Sequence, residues 1–319
     1  RLTVINNGVF YGCEALDLAT IDFSNIKSVG IMAFMATKAV ATLNLDSMEV
    51  IGSQAFGEAE RRYSSQDGAF EYIPSQNPVL KLVNAPNLIK LDDNAFYGNG
   101  ALTTVNAPLL QEIGDMVFTN TAIEEFEVTD SLAKVSYGAF YNAEKFKAFY
   151  TMQGGVKNTT ATLANVMLDG GVLYLATDLG YNLVCYPMDK ADKEYVIPEG
   201  VIRIEFTAAT GNMHLQKVTM PSTMKNIGNL AFYDCTALTE VRFKSYFAPV
   251  LEGTLSGNLD MLPSDVMSGK FPNFNKLYKY DYYYYMQCKA LKEAQENGES
   301  YTPPFGVPYP LAYANFVGL

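Results

Sequence analysis

The sequence predicts an α/β solenoid that is mostly β by content. Coils of about 23 residues stack, each with one short strand and with short helical or 3₁₀ turns opposite. Three observations carry that expectation. The phrase apolar-x-x-(Ile/Val/Leu)-x-x-x-(Ala/Val)-Phe recurs seven times. A second phrase, apolar-x-x-apolar-x-apolar, follows most copies and ends in the period-two alternation of a strand. A single unit this short cannot bury its own apolar face, whereas stacked units build one continuous core.

The copies of the first phrase begin at Leu2, Ile26, Met48, Leu88, Leu110, Leu132 and Met224, and close on Phe10, Phe34, Phe56, Phe96, Phe118, Phe140 and Phe232. Its gaps of three and four suit a helical or 3₁₀ turn. A small or polar residue follows the central aliphatic: Gly30, Gly52, Gly114 and Gly228, with Asn6, Asp92 and Ser136 as variants. Glycine there permits a tight backbone. The second phrase appears as Val40-Leu43-Leu45, Leu102-Val105-Ala107, Ile123-Phe126-Val128 and Leu238-Val241-Phe243, and Pro86, Pro108 or Pro221 often stops it. The Phe residues should form a spine, each burial contributing roughly 1.5–3 kcal/mol.

Successive Phe residues stand 24, 22, 40, 22, 22 and 92 positions apart. The 40 holds an insertion near residues 57–78. The 92 hides an eroded eighth copy, with Val201, Ile204 and Ala208 in register and Ala209 where Phe belongs. Residues 168–187 interrupt the repeat: the apolar runs 172–175 and 183–186 flank a polar turn with Asp178 and Gly180, a hairpin pattern expected to project from the stack. The solenoid is therefore expected over 1–247. Residues 248–319, with the Tyr-rich run 278–285, a helical stretch at 288–298 and a Pro-rich end, are expected to cap its last open face. An alternative use of the Tyr run is an aromatic platform for a sugar.

Composition excludes several classes of function. Twenty-three Lys and Arg against thirty-four Asp and Glu leave a net charge of −11, which argues against broad nucleic-acid binding. No apolar run approaches the length of about 20 residues that spans a membrane, so no membrane insertion is expected. The four Cys lack a CxxC pair, and their expected state is a buried free thiol. The single His, His214, has no carboxylate placed for it by sequence. Motifs for a nucleophilic Ser, a nucleotide-binding loop or a metal site are missing, so no catalytic residue, cofactor or metal is expected. The chain opens on Arg1 inside a repeat phrase, which suggests a piece of a longer protein with any export signal or anchor upstream.

Residues flanking the central apolar position of the second phrase should point outward and line up across coils as a ribbon. In order these are Thr20 and Asp22, Thr42 and Asn44, Leu82 and Asn84, Thr104 and Asn106, Glu125 and Glu127, Ala148 and Tyr150, Lys217 and Thr219, and Glu240 and Arg242. Repeat proteins use such faces for partners. Tyr150 beside Glu125 and Glu127 is the expected anchor, with Asn106, Thr104 and Asn84 extending the surface. An exposed aromatic with nearby acceptors suits a sugar or a basic protein loop. Glycosidase chemistry would instead need two acids facing each other across a gap of about 5–10 Å, and Glu125 and Glu127 share one strand face.

The stretches at 224–243 (MKNIGNLAFYDCTALTEVRF) and 26–34 (IKSVGIMAF) resemble the BspA-like leucine-rich repeat family, whose repeat joins Ile-Gly-x-x-Ala-Phe-x-x-Cys to Leu-x-x-Val-x-Ile-Pro. The resemblance runs from about residue 2 to 243 and departs from the pattern at the Cys place, held only by Cys13 and Cys235 and elsewhere by Thr37, Asn99, Thr121 or Ala143. It implies a right-handed leucine-rich-repeat solenoid on a secreted or surface-exposed bacterial protein, non-catalytic, with adhesion or the binding of a host or microbial surface protein or glycan as its role. A carbohydrate-active protein and a structural spacer that presents another domain are the alternatives.

Overall fold

The computed structural model describes residues 2–37, 40–57, 79–228 and 230–244, and the backbone alone of Ala59–Tyr63, Phe70–Pro74, Phe243, Val250–Leu251 and Tyr278–Lys279. These fall into two compact units, 1–175 with 187–189 and 176–186 with 190–319.

The first unit is a β-solenoid. Each coil contributes a two-residue leading strand around the central aliphatic of the Phe phrase: Val4–Ile5, Ser28–Val29, Val50–Ile51, Lys90–Leu91, Glu112–Ile113 and Lys134–Val135. These six pair in parallel, one coil on the next. The alternating phrase supplies a second row, the ribbon: β1 (Thr42–Asn44), β2 (Leu82–Asn84), β3 (Thr104–Asn106), β4 (Glu125–Glu127) and β5 (Ala148–Gln153). Leu43, Val83, Val105, Phe126 and Phe149 point inward and are buried. The ribbon begins one coil later than expected, because Thr20 ends a 3₁₀ turn (Leu18–Thr20) capped by Asp17.

The Phe phrase does not wind into a helix. It makes two consecutive β-turns, each with a left-handed residue in its third position. In one coil Ala33 N–H donates to Gly30 C=O around Met32 (φ 54°), and Thr37 N–H donates to Phe34 C=O around Ala36 (φ 57°). The same two places carry positive φ at Asn94 and Gly98, Met116 and Asn120, and Gly138 and Asn142. A type II turn asks for that conformation at its third residue, and the ladder between coils holds even Met there. Phe34 N–H donates to Ala55 C=O, Phe96 N–H to Val117 C=O and Phe118 N–H to Ala139 C=O.

The glycine after the central aliphatic serves close approach, not a left-handed turn. A Cβ on Gly114 would sit 2.7 Å from Asp93 N and 2.8 Å from Asp92 C of the coil below, and one on Gly52 would sit 2.8 Å from Gly30 C.

Between the two rows the Phe rings form the expected file. Centroid separations are 5.2 Å for Phe10–Phe34, 5.4 Å for Phe34–Phe56, 5.8 Å for Phe56–Phe96 and 6.2 Å for Phe96–Phe118, with near-parallel planes. From Phe118 the file changes to tilted and edge-on contacts among Phe126, Phe140 and Phe149, with Phe146 stacked on Phe140 and edge-on to Phe149.

The insertion after Gly57 is an antiparallel ribbon of Ala59–Tyr63 and Phe70–Pro74. At the other end, β5 turns through Gly154 and Gly155 (φ 59° and 81°) into β6 (Val156–Asn158). A meander of Ala161–Thr162, Val166–Asp169 and the start of Val172–Thr177 follows. The segment expected to project as a hairpin begins instead as core. Phe149 N–H donates to Gly171 C=O, and Val172, Leu173 and Tyr174 are fully buried. The meander thus occupies the place of a next coil at this end of the unit.

The second unit repeats the two-row plan. Gly180–Cys185, Val201–Ile204, Asn226–Ile227 and Val250–Leu251 pair in parallel, as do Glu194–Val196, Lys217–Met220, Glu240–Phe243 and Tyr278–Lys279. The eroded copy keeps its register: Ala209 is buried and its N–H donates to Ala231 C=O, as a Phe at that place does elsewhere. The ladders continue past Phe243, where the sequence phrase stops. Most of the expected cap, including the stretch 288–298, lies outside the described residues.

Cys13 is exposed and Cys185 half-buried, against the expectation of buried thiols. Cys235 is buried, and its Sγ lies 2.9 Å from Ala209 C=O as a donor.

Candidate functional site

The outward residues of the ribbon divide into two arrangements. Toward the start, Asn44, Asn84 and Asn106 stack as an amide ladder. Asn84 Nδ2 donates to Asn44 Oδ1 at 2.8 Å, and Asn106 Nδ2 donates to Asn84 Oδ1 at 2.7 Å. Asn84 therefore spends one donor and one acceptor site on neighbouring coils, and Asn106 one donor. Thr104 stands beside this ladder, exposed.

Between β3 and β4 the ribbon splits. β1, β2 and β3 form one sheet, and β4, β5 and β6 another. Elsewhere the residue after each ribbon strand donates to the next coil: Leu45 N–H to Asn84 C=O, Ala85 N–H to Asn106 C=O and Val128 N–H to Tyr150 C=O. Ala107 N–H, which would make the same bond to Glu127, has no such partner among the described residues. The leading strands across the molecule stay paired through the same coils.

An offset of one residue accompanies the split. The inward ribbon residue comes nine positions after its Phe at Leu43, Val105 and Phe149, but eight after Phe118 at Phe126. The missing residue returns between Phe126 and Leu132, where the span is six against five from Val105 to Leu110. β4 is drawn forward and out of ladder register with β3, yet it pairs fully with β5, Glu125 opposite Ala148 and Glu127 opposite Tyr150.

A depression of about 490 Å³ opens over this split. Its walls are Thr103, Thr104 and Val105 of the β3 side, Glu124, Glu125 and Glu127 of the β4 side, Lys147 and Tyr150 at β5, and Lys157 on β6. Four of the residues expected from sequence, Tyr150, Glu125, Glu127 and Thr104, are brought together here. Asn84 and Asn106 belong to the ladder and do not line it.

Tyr150 is half-buried, not fully exposed, and one ring face is occupied. Lys157 Nζ lies 4.3 Å from the ring centroid and also pairs with Glu125. Partial burial pushes the Tyr150 hydroxyl above its ordinary range; Lys157 opposes that shift, and Glu127 and Glu125 add to it. The hydrogen bond to Glu125 raises the Lys157 ammonium. Lys147 Nζ pairs with Glu124 at 2.9 Å, which raises the lysine and lowers the carboxylate.

Sequence reasoning missed Lys147 and Lys157. The paired glycines 154 and 155 mark the hairpin that returns Lys157 opposite Met152, on the same strand face as Tyr150. No group of three or more His, Cys, Asp or Glu among the described residues is placed to hold a metal ion.

A family model described as the BspA type leucine rich repeat region matches in six copies over residues 1–74, 64–162 and 188–259. No curated protein matches the chain. Among solved structures, the pneumococcal vaccine antigen PcpA is 20% identical with a TM-score of 0.53, over 68% of this chain and 48% of that one. A leucine rich cell surface protein from Faecalibacterium prausnitzii is 20% identical with a TM-score of 0.45, over 77% of this chain and 65% of that one. The chain thus spans about half the length of PcpA and about two thirds of the second structure.

Proposed function

Because the chain belongs to the BspA-type leucine-rich repeat family, we propose that it is a non-catalytic recognition module, secreted or displayed on a bacterial surface, that binds a host or microbial partner through its ribbon. The depression over the β3–β4 split carries this reading, because it gathers an aromatic ring, three carboxylates, two ammonium groups and hydroxyls on an otherwise regular face. Adhesion is the role that fits a repeat scaffold with one such local site. Glu125 and Glu127 project side by side from one strand, and Glu125 is tied to Lys157. That arrangement favours binding over glycoside hydrolysis, which uses acids on opposite walls.

Arrays of glycans and matrix proteins probed with the purified chain test the proposal. The combined change Tyr150→Ala, Glu125→Gln and Glu127→Gln should abolish the capture of any ligand found, with the thermal midpoint close to that of the parent. Capture that survives the triple change places recognition elsewhere.

A further inference from the structure

We propose that the depression takes a cationic, donor-rich side chain, an arginine or lysine of a protein partner, in the seat that Lys157 of the same chain now holds. The inference rests on the recognition role proposed above and names its ligand class. Lys157 shows what the seat accepts, since its ammonium is bracketed by the Tyr150 ring and the Glu125 carboxylate. Attraction of a cation to an aromatic face at this distance is the physics of lysine and arginine recognition.

The lining also carries three carboxylates against two ammonium groups. Of the three carboxylates, Glu124 and Glu125 are paired with lysines, while Glu127 has no ion-pair partner among the described residues and lies close enough to influence both Tyr150 and Lys157. The split leaves one backbone acceptor, Thr103 C=O, and one backbone donor, Ala107 N–H, without ladder partners among the described residues. Thr103 C=O corresponds to Lys81 C=O and Glu124 C=O, which accept from Thr103 N–H and Lys147 N–H in the next coils. Thr103 C=O has no backbone donor of that kind among the described residues. A guanidinium offers five donors and no acceptor, which matches such a wall. A sugar hydroxyl brings one donor and two acceptor lone pairs, and a sugar ring that displaced Lys157 from the Tyr150 face would leave the Glu125 carboxylate without its cation. The net charge of −11 favours approach of a basic partner.

The full chain is titrated with a blocked Gly-Arg-Gly-Arg-Gly peptide, with its citrulline counterpart and with the oligosaccharides of the array. The arginine peptide should bind and the citrulline peptide should not, with binding lost at high salt. Glu127→Gln should weaken the arginine peptide about threefold to tenfold, and Lys157→Ala, which removes the internal occupant, should tighten it about as much. Equal binding of the citrulline peptide overturns the inference, as does no binding to the parent or to Lys157→Ala. Weaker binding by Lys157→Ala also overturns it, since the lysine would then be part of the recognition surface. An oligosaccharide that binds, and is lost in the triple variant, in the absence of arginine-peptide binding overturns the cationic class while leaving the recognition role intact.

Discussion

Single residues decide the tightness of the coils. Phe118 is fully buried with stacked or tilted rings on both sides, so Phe118→Ala should cost about 3–5 kcal/mol in a denaturant titration. Gly114→Ala should lose about 1–3 kcal/mol, because its Cβ meets backbone of the coil below under 3 Å. Gly57→Ala is the control, since its nearest neighbours would lie 3.6 Å away. Thiol chemistry gives a further check. Burial pushes Cys235 up to about 12, so an alkylating reagent at neutral pH should label exposed Cys13 in the native chain and reach fully buried Cys235 only on unfolding. The buried Phe file was legible in the sequence because each ring sits at a fixed place in its phrase. The exposure of Cys13 was not, because the same place in the phrase is buried at Cys235, and the phrase alone does not distinguish the two.

At the scale of elements, the alternating phrase announced the ribbon strands and their outward residues. It did not announce that the Phe phrase makes paired β-turns, since apolar spacings of three and four fit a helix as well as a chain folded by ladder bonds from both neighbours. The split between β3 and β4 was present in the sequence as a one-residue shift from Phe118 to Phe126. It escapes a reading that follows only the Phe spacing, which stays at 22. Hydrogen exchange resolved by residue should show Ala107 N–H exchanging faster than Ala85 N–H, which is bonded to Asn106 C=O at 2.9 Å. The Glu124–Lys147 pair supports the native fold while both groups are charged. Its carboxylate is held below 4.5 and its ammonium above 10.5. That support is lost as pH falls through the lowered carboxylate value, and again as pH rises through the raised lysine value. Lys147→Met should therefore lower the thermal midpoint slightly near neutral pH and leave it unchanged in acid strong enough to protonate Glu124.

On the scale of the molecule, each unit is held by neighbour-to-neighbour bonds, so protection should be graded along the stack. The first coil, with Leu2, Val9 and Tyr11 exposed and Phe10 stacked on one side, should exchange its amides first, and the coils between Leu88 and Phe149 last. Ala209 shows how far the plan tolerates loss: the backbone ladder keeps its coil in step without the ring. The site was legible only in part for a related reason. Local phrases placed Tyr150, Glu125 and Glu127 on one face, but Lys157 arrives by a turn outside the repeat. The split itself has a mechanical meaning. Two coils bound along the leading strands, and tied beside the ribbon by Ala122 N–H to Leu102 C=O before it and Thr129 Oγ1 to Pro108 C=O after it, are like a book held at its spine and at two corners, with the page gap left between those corners where Tyr150 and Glu127 sit.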